Sequence, residues 1–121
     1  MTGADLLDIG REAFDRKAWA EAYANLWAAD RDEPLGPEDL ERLAITARLR
    51  GRDAESGDLW ARAYQAHDRR GDPGRAARCA FWLAIELLLE GETARSGGWV
   101  SRARRLLGEG DCVEQGYLLV P

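Results

Sequence analysis

Apolar residues recur along this chain with the three-to-four-residue spacing of amphipathic α-helices, and no useful length alternates with the period of a β-strand. The pattern therefore predicts an all-α protein of about seven short helices joined by short loops. The predicted helices span residues 3–15, 18–30, 37–50, 53–70, 75–91, 93–107 and 112–119.

The helix predicted over 75–91 is apolar around nearly its whole circumference, unlike the others. A helix of this kind has to be covered on several sides. At about 1.5 Å per residue it is roughly 25 Å long, and its charged flanks argue against a membrane span. We expect it to be the central helix of the fold.

Proline and glycine mark the ends of the predicted helices. Two prolines in the segment 32–37 end the second helix, and Pro37 suits the first position of the third. Gly51 is a predicted C-cap, and the segments 71–73 and 108–110 interrupt the helical pattern again.

The chain also repeats itself. The segment that begins at Gly51 matches the segment that begins at Gly91, including a Ser-Gly pair at 56–57 and 96–97, so the offset is 40 residues. A looser match at an offset of 34 residues relates residues 19–29 to residues 53–63. Periods of this size are typical of stacked helical repeats.

Small residues in the repeat predict close helix packing. In each pair, a small residue of the first helix would leave a notch for a bulky residue of the second helix. The predicted pairs are Gly10 with Leu26, Ala44 with Trp60, and Ala84 with Val100. Small residues early in the second helix (Ala22, Ser56 and Ser96) would let the two axes approach closely. The repeated glycines at 57 and 97 predict that a neighbouring backbone passes there, with an open bulge as the alternative.

Helix pairs at 34 to 40 residues, with small and apolar positions at these places and Pro34 at a unit boundary, resemble tetratricopeptide repeats. The resemblance implies a right-handed stack of antiparallel helix pairs within one domain. Its units would be residues 3–34, 37–71 and 73–108, with a partial unit at 111–121. The second and third units lack the aromatic residue expected early in the second helix, where Asp53 and Thr93 stand.

The run ARCAFWLAIELLLEGETARSGGWVSRARRLL, followed by DCVEQGYLLVP, resembles the repeat region of bacterial transcription regulators of the LuxR class and of related multidomain signalling proteins. The resemblance implies a sensor or protein-contact module beside a separate DNA-binding domain. Nothing in these 121 residues corresponds to that domain. We expect the protein to continue beyond Pro121, or a second copy to cover the last helix.

Charge and composition narrow the function. The net charge of −5 argues against direct nucleic-acid contact by this segment, which would need a basic face. The absence of a basic, apolar leader and the presence of only two cysteines favour a cytoplasmic protein without membrane attachment.

We find no catalytic or metal-binding pattern and expect neither an enzyme nor a cofactor. His67, the only histidine, is predicted to be an exposed residue near a helix end, and Cys79 a small core residue. Glu86 and Glu90 are predicted to form structural ion pairs. The tryptophans at 60, 82 and 99 are predicted to lie in the core.

The remaining candidate is a surface that binds a protein, a peptide or another domain of the same chain. In stacked pairs the first helices line the concave side, and aromatic and arginine residues there are typical interface anchors. The predicted partner-binding residues are Arg11, Phe14, Glu41, Ile45, Arg48, Arg78, Phe81 and Ile85. The open alternative is that Phe81 and Ile85 are core residues and that the arginines are merely solvated.

Two functions follow from this surface. The first is a non-catalytic interaction module of a bacterial transcription regulator, with self-association through the C-terminal helix as an option. The alternative is a small-molecule sensor that encloses an apolar ligand beside Phe81 and Trp82.

Overall fold

A computed structural model describes residues 2–108, and this part of the chain consists of α-helices without any strand. The six helices in it are α1 (Gly3–Asp15), α2 (Trp19–Asp32), α3 (Pro37–Leu49), α4 (Asp53–Arg69), α5 (Pro73–Leu89) and α6 (Thr93–Gly108). All six agree with the predicted helices to within two residues at each end. The all-α prediction is therefore confirmed, while the predicted helix at 112–119 lies outside the described residues.

The helices begin where the sequence supplies caps. Thr2 caps α1 through a capping box, in which its hydroxyl accepts from the Asp5 backbone N–H and the Asp5 carboxylate accepts from the Thr2 N–H. The bonds that the Asp5 carboxylate accepts from the Thr2 backbone N–H and from the Thr2 hydroxyl lower the pKa of Asp5. Pro37 and Pro73 occupy first-turn positions of α3 and α5, where a missing N–H is harmless.

The two helices of each pair are joined by the same three-residue turn. In α3–α4 the Gly51 N–H donates to the Arg48 carbonyl and the Arg52 N–H to the Ala47 carbonyl, and Gly51 has φ +75°. These are the two bonds of a Schellman motif. The turns after α1 and α5 repeat both bonds, with Lys17 (φ +63°) and Gly91 (φ +83°) at the left-handed position.

The chain divides into two compact units between Leu59 and Trp60, inside α4. The first unit contains α1 and α2 packed antiparallel. At one point of their contact, a Cβ added to Gly10 would lie only 2.8 Å from Cγ of Leu26, which is fully buried. The predicted notch at Gly10 is thus confirmed, because only a glycine leaves room for this leucine.

The serines of the repeat confirm the close approach predicted for Ser56 and Ser96 and add a hydrogen bond to it. In the first unit the buried Ser56 hydroxyl donates to the Ala44 carbonyl at 2.9 Å. In the second unit the Ser96 hydroxyl donates to the Ala84 carbonyl at 2.7 Å. Both bonds join residues 12 apart, and this separation also relates Ala22 to Gly10. Each pair therefore keeps the same alignment across its own turn.

The second unit is built on α5 and α6. Ala77, Ala80 and Ala103 form its buried centre, and Tyr64, Trp99 and Leu106 pack against them. The Tyr64 and Trp99 rings meet edge to face with centroids 5.1 Å apart, and the Arg102 guanidinium lies over the Trp99 ring. Small residues on α5 thus allow large aromatic residues of the neighbouring helices to fill the space.

Two predictions about single residues are wrong. His67 is only 1% exposed, because it follows Trp60, Ala63 and Tyr64 at helical spacing and so shares the inward face of α4. Trp82 is 47% exposed, because it lies on the side of α5 away from that helix's buried residues. The predictions for Trp60 and Cys79 are confirmed, since both are buried.

Candidate protein-interaction surface

The predicted partner-binding residues belong to three helices and to both units. Arg11 and Phe14 lie on α1, and Glu41, Ile45 and Arg48 lie on α3, all in the first unit. Arg78, Phe81 and Ile85 lie on α5 in the second unit. The two groups are therefore considered separately.

In the first unit, Arg11 is held within the fold. Its Nε and Nη2 donate to the two carboxylate oxygens of Asp39 at 3.0 and 2.6 Å, and Arg42 donates to the same carboxylate at 3.0 Å. Asp39 is buried, and its hydrogen bond raises the pKa of Arg11. A two-point contact of this kind fixes the guanidinium. Arg11 therefore joins α1 to α3 within the fold instead of projecting freely toward a partner.

The other candidates of the first unit are also mostly occupied. Phe14 is half-buried against Trp19 in an edge-to-face contact with centroids 5.4 Å apart. Arg48 forms an ion pair with Asp53 at 3.5 Å, across the turn between α3 and α4. Ile45 is exposed on α3, and Glu41 is half-buried. The exposed large apolar residues of this unit are Ile45 and Leu49, one turn apart on α3, at 37% and 54%.

In the second unit, by contrast, one face of α5 is a continuous apolar surface. At 100° per residue, the side chains of Phe81, Trp82, Ile85, Leu88 and Leu89 fall within an arc of about 120° around the helix axis. Trp82, Leu88 and Leu89 are 47%, 56% and 69% exposed, and Phe81 and Ile85 between them are half-buried. We call this surface the α5 face; it consists of Phe81, Trp82, Ile85, Leu88 and Leu89.

The α5 face has charges of opposite sign at its two ends. Arg78 is exposed one turn before Phe81, and Arg75 lies a further turn away, where it pairs with Asp72 at 3.5 Å. Glu90 and Glu92 are exposed just after the last leucine, in the turn that leads to α6. One end is therefore basic and the other acidic.

The sequence predicts Arg78, Phe81 and Ile85 as partner-binding residues, and these predictions do not include Trp82, Leu88 and Leu89, which the structure shows to be exposed. A usable signal was present in the sizes of the apolar residues of α5. Its buried side carries most of the small ones, which are Ala76, Ala77, Cys79, Ala80 and Ala84. Small residues mark the side on which neighbouring helices approach closely, so large residues opposite them are the ones left outside.

Two polar contacts between helices lie elsewhere in the units. In the second unit the Trp60 indole N–H donates to the buried Glu86 carboxylate at 2.8 Å. In the first unit the Tyr23 hydroxyl donates to Glu55 at 2.5 Å. Burial, and then the hydrogen bond to Glu55, raise the pKa of Tyr23. Both contacts tie one helix to another.

Comparison of the chain with models of known protein families finds no match, and comparison with curated proteins finds no significant similarity. Across the described residues, none of the helices combines the length and the apolarity that crossing a membrane requires.

Proposed function

We propose that this chain is a non-catalytic protein-interaction module that binds a protein partner through the α5 face. The observation that supports the proposal is the exposure of three large apolar side chains, Trp82, Leu88 and Leu89, beside one another on a single helix. Contiguous apolar surface of this kind on a water-soluble domain is characteristic of interaction sites. Tryptophan is also among the residues most enriched at interface hot spots.

The energy available from this face suits a reversible contact. Covering side chains that are about half exposed would contribute on the order of 1 kcal/mol each, because burying a whole large apolar side chain is worth about 1.5–3 kcal/mol. The loss of translational and rotational freedom consumes several kcal/mol of that gain. A partner that covers only the α5 face would therefore bind weakly, as suits a regulatory switch.

The helix pairs support the wider proposal of a tetratricopeptide-like module in a bacterial transcription regulator. Both the three-residue turn and the 12-residue spacing recur in successive pairs, as a repeat protein requires. In that setting the partner would be another protein, a peptide or a further domain of the same chain. The module would then act by contact, and DNA reading would belong to another domain.

The exposure of Trp82 argues against the alternative of a small-molecule sensor. The Phe81 and Trp82 rings are 6.3 Å apart, and a ligand beside Trp82 would keep one side in water. Ligand pockets normally bury most of the ligand surface.

Site-specific photo-crosslinking in the producing cell tests the proposal. A photoreactive phenylalanine in place of Leu89 should give a covalent adduct with a protein, while the same residue in place of Ser101, exposed on α6, should not. The adduct at position 89 should disappear when Trp82 is also replaced by glutamate. Equal labelling at both positions, or none at either, would contradict the proposal.

A further inference from the structure

We propose that the partner of the α5 face is the same face of a second copy of this chain, with the two α5 helices antiparallel. This inference rests on the function proposed above and names the partner of that surface. The supporting observation is the order of residues along α5. When a second copy of the helix runs in the opposite direction, the aromatic residues of one copy face leucines of the other, and the basic end faces the acidic end.

Ile85 lies at the centre of this order. Phe81 and Trp82 lie four and three residues before it, and Leu88 and Leu89 lie three and four residues after it. In an antiparallel pair with the two-fold axis at Ile85, Phe81 of one copy faces Leu89 of the other, and Trp82 faces Leu88. Each aromatic ring thus meets a leucine, and a two-fold axis repeats both contacts.

The charges fit the same arrangement. Arg78 lies on α5 seven residues before Ile85, and Glu92 lies in the turn that follows α5, three residues beyond the end of the helix at Leu89. The antiparallel arrangement therefore places each arginine near the glutamate of the other copy, at both ends of the apolar face. A parallel arrangement would place arginine near arginine and glutamate near glutamate, and like charges brought together at an interface are unfavourable.

The size of the face sets the expected strength. From Phe81 to Leu89 it extends about 12 Å along the helix. A standard interface covers roughly 800 Å² per partner, which as a square patch would be about 28 Å wide, so the α5 face is smaller. We therefore infer a dimer that forms and dissociates with concentration in the micromolar range, roughly 10–300 µM. Such a dimer could respond to the local concentration of the chain.

Charge reversal combined with sedimentation equilibrium of the purified 121-residue chain tests the arrangement. Arg78→Glu and Glu92→Arg should each raise the dimer Kd about tenfold or more, because each places two like-charge pairs at the interface. An equimolar mixture of the two variants should associate again with nearly the wild-type Kd, because both contacts of the mixed pair are then of opposite charge. The double variant R78E/E92R should also recover.

Two further variants distinguish an effect of the α5 face on dimerisation from a general effect of changing a surface charge. Leu89→Glu should abolish dimerisation, while Arg69→Glu, a charge reversal at an exposed position of α4, should leave the Kd unchanged. All these positions are exposed, and circular dichroism should show unchanged helix content. If a variant nevertheless unfolds, the wild-type chain alone decides between monomer and dimer.

Three results would overturn the inference: a wild-type chain that stays monomeric up to about 1 mM, variants that dimerise as well as the wild type, or single variants whose mixture fails to recover. The crosslinking experiment distinguishes this failure from failure of the proposed function. An adduct at position 89 with a different protein, together with a monomeric chain, would leave the interaction role standing and remove only the second copy. A monomeric chain without any adduct would contradict both.

Discussion

Replacing Gly10 by alanine should destabilise the protein, although alanine is the better helix former. Gly10 lies within α1, where alanine would normally gain about 1 kcal/mol over glycine. At this position, however, the new methyl group would lie 2.8 and 2.9 Å from two carbons of Leu26 and 3.2 Å from its backbone nitrogen. The leucine is fully buried and its backbone belongs to α2, so the clash has little room to relax.

Overpacking of this kind costs about 1–3 kcal/mol. After the gain in helix propensity is subtracted, we expect Gly10→Ala to lower the free energy of unfolding by about 1 kcal/mol, with a decrease in Tm of roughly 3–6 °C. Urea unfolding followed by circular dichroism would measure this change.

Gly98 provides the matched control. It also lies within a helix, α6, but no atom lies within 4 Å of an added Cβ. The same substitution there should raise the free energy of unfolding by about 0.5–1 kcal/mol. In a Leu26→Ala background, which removes the two side-chain contacts and leaves only the 3.2 Å contact with the backbone nitrogen, Gly10→Ala should destabilise much less than in the wild type. Equal stabilisation by Gly10→Ala and Gly98→Ala in the wild-type background would refute the proposed notch.

Three further predictions concern polar contacts between helices. Ser56→Ala and Ser96→Ala should each lower the free energy of unfolding by about 0.5–1.5 kcal/mol in urea titrations, because each removes one interhelical hydrogen bond; no change would show that the bonds contribute nothing. Folding raises the pKa of Tyr23. The tyrosine therefore contributes to the free energy of unfolding below its unfolded pKa of about 10, and this contribution is lost as pH rises through its folded pKa. Stability should thus fall more steeply above pH 10 in the wild type than in Tyr23→Phe, and parallel pH curves would contradict this. Asp39→Asn should lower the free energy of unfolding by about 1–2 kcal/mol. The loss is only partial because the Arg11 side chain is partly solvated. Unchanged urea midpoints would show that the Arg11–Asp39 ion pair does not stabilise the fold.

The ends of the described helices were predictable because they are determined by the residues at those ends. Proline at 37 and 73 and glycine at 51 and 91 act through their own backbone preferences, whatever the rest of the chain does. The turn after α1 was harder to recognise as the same motif. It places Lys17 at the left-handed position, and a lysine in a sequence gives no indication of a positive φ.

The candidate surface was only partly predictable, because an apolar residue does not reveal what covers it. The continuous apolarity of α5 predicts a core position for Trp82, and the position of His67 beside Asp68 predicts exposure. In both cases the side of the helix decides the outcome. His67 lies on the face of Trp60 and Ala63, while Trp82 lies opposite the small residues of α5.

Comparison of α3 with α5 at the offset of 40 residues bears on the binding role proposed for the α5 face. The buried positions stay apolar, as at Leu43 and Leu83 or Ala44 and Ala84. Two outward positions are also apolar on both helices, Ile45 with Ile85 and Leu49 with Leu89. Three others differ: Glu41, Arg42 and Arg48 on α3 correspond to Phe81, Trp82 and Leu88 on α5. On α3 these charged residues suit the half-exposed surface, and both arginines are paired with carboxylates. A helix pair of this kind can therefore fold with charges at these three positions, so Phe81, Trp82 and Leu88 exceed what its packing requires. The partner proposed for the α5 face would cover Trp82 and Leu88, which are otherwise exposed to water.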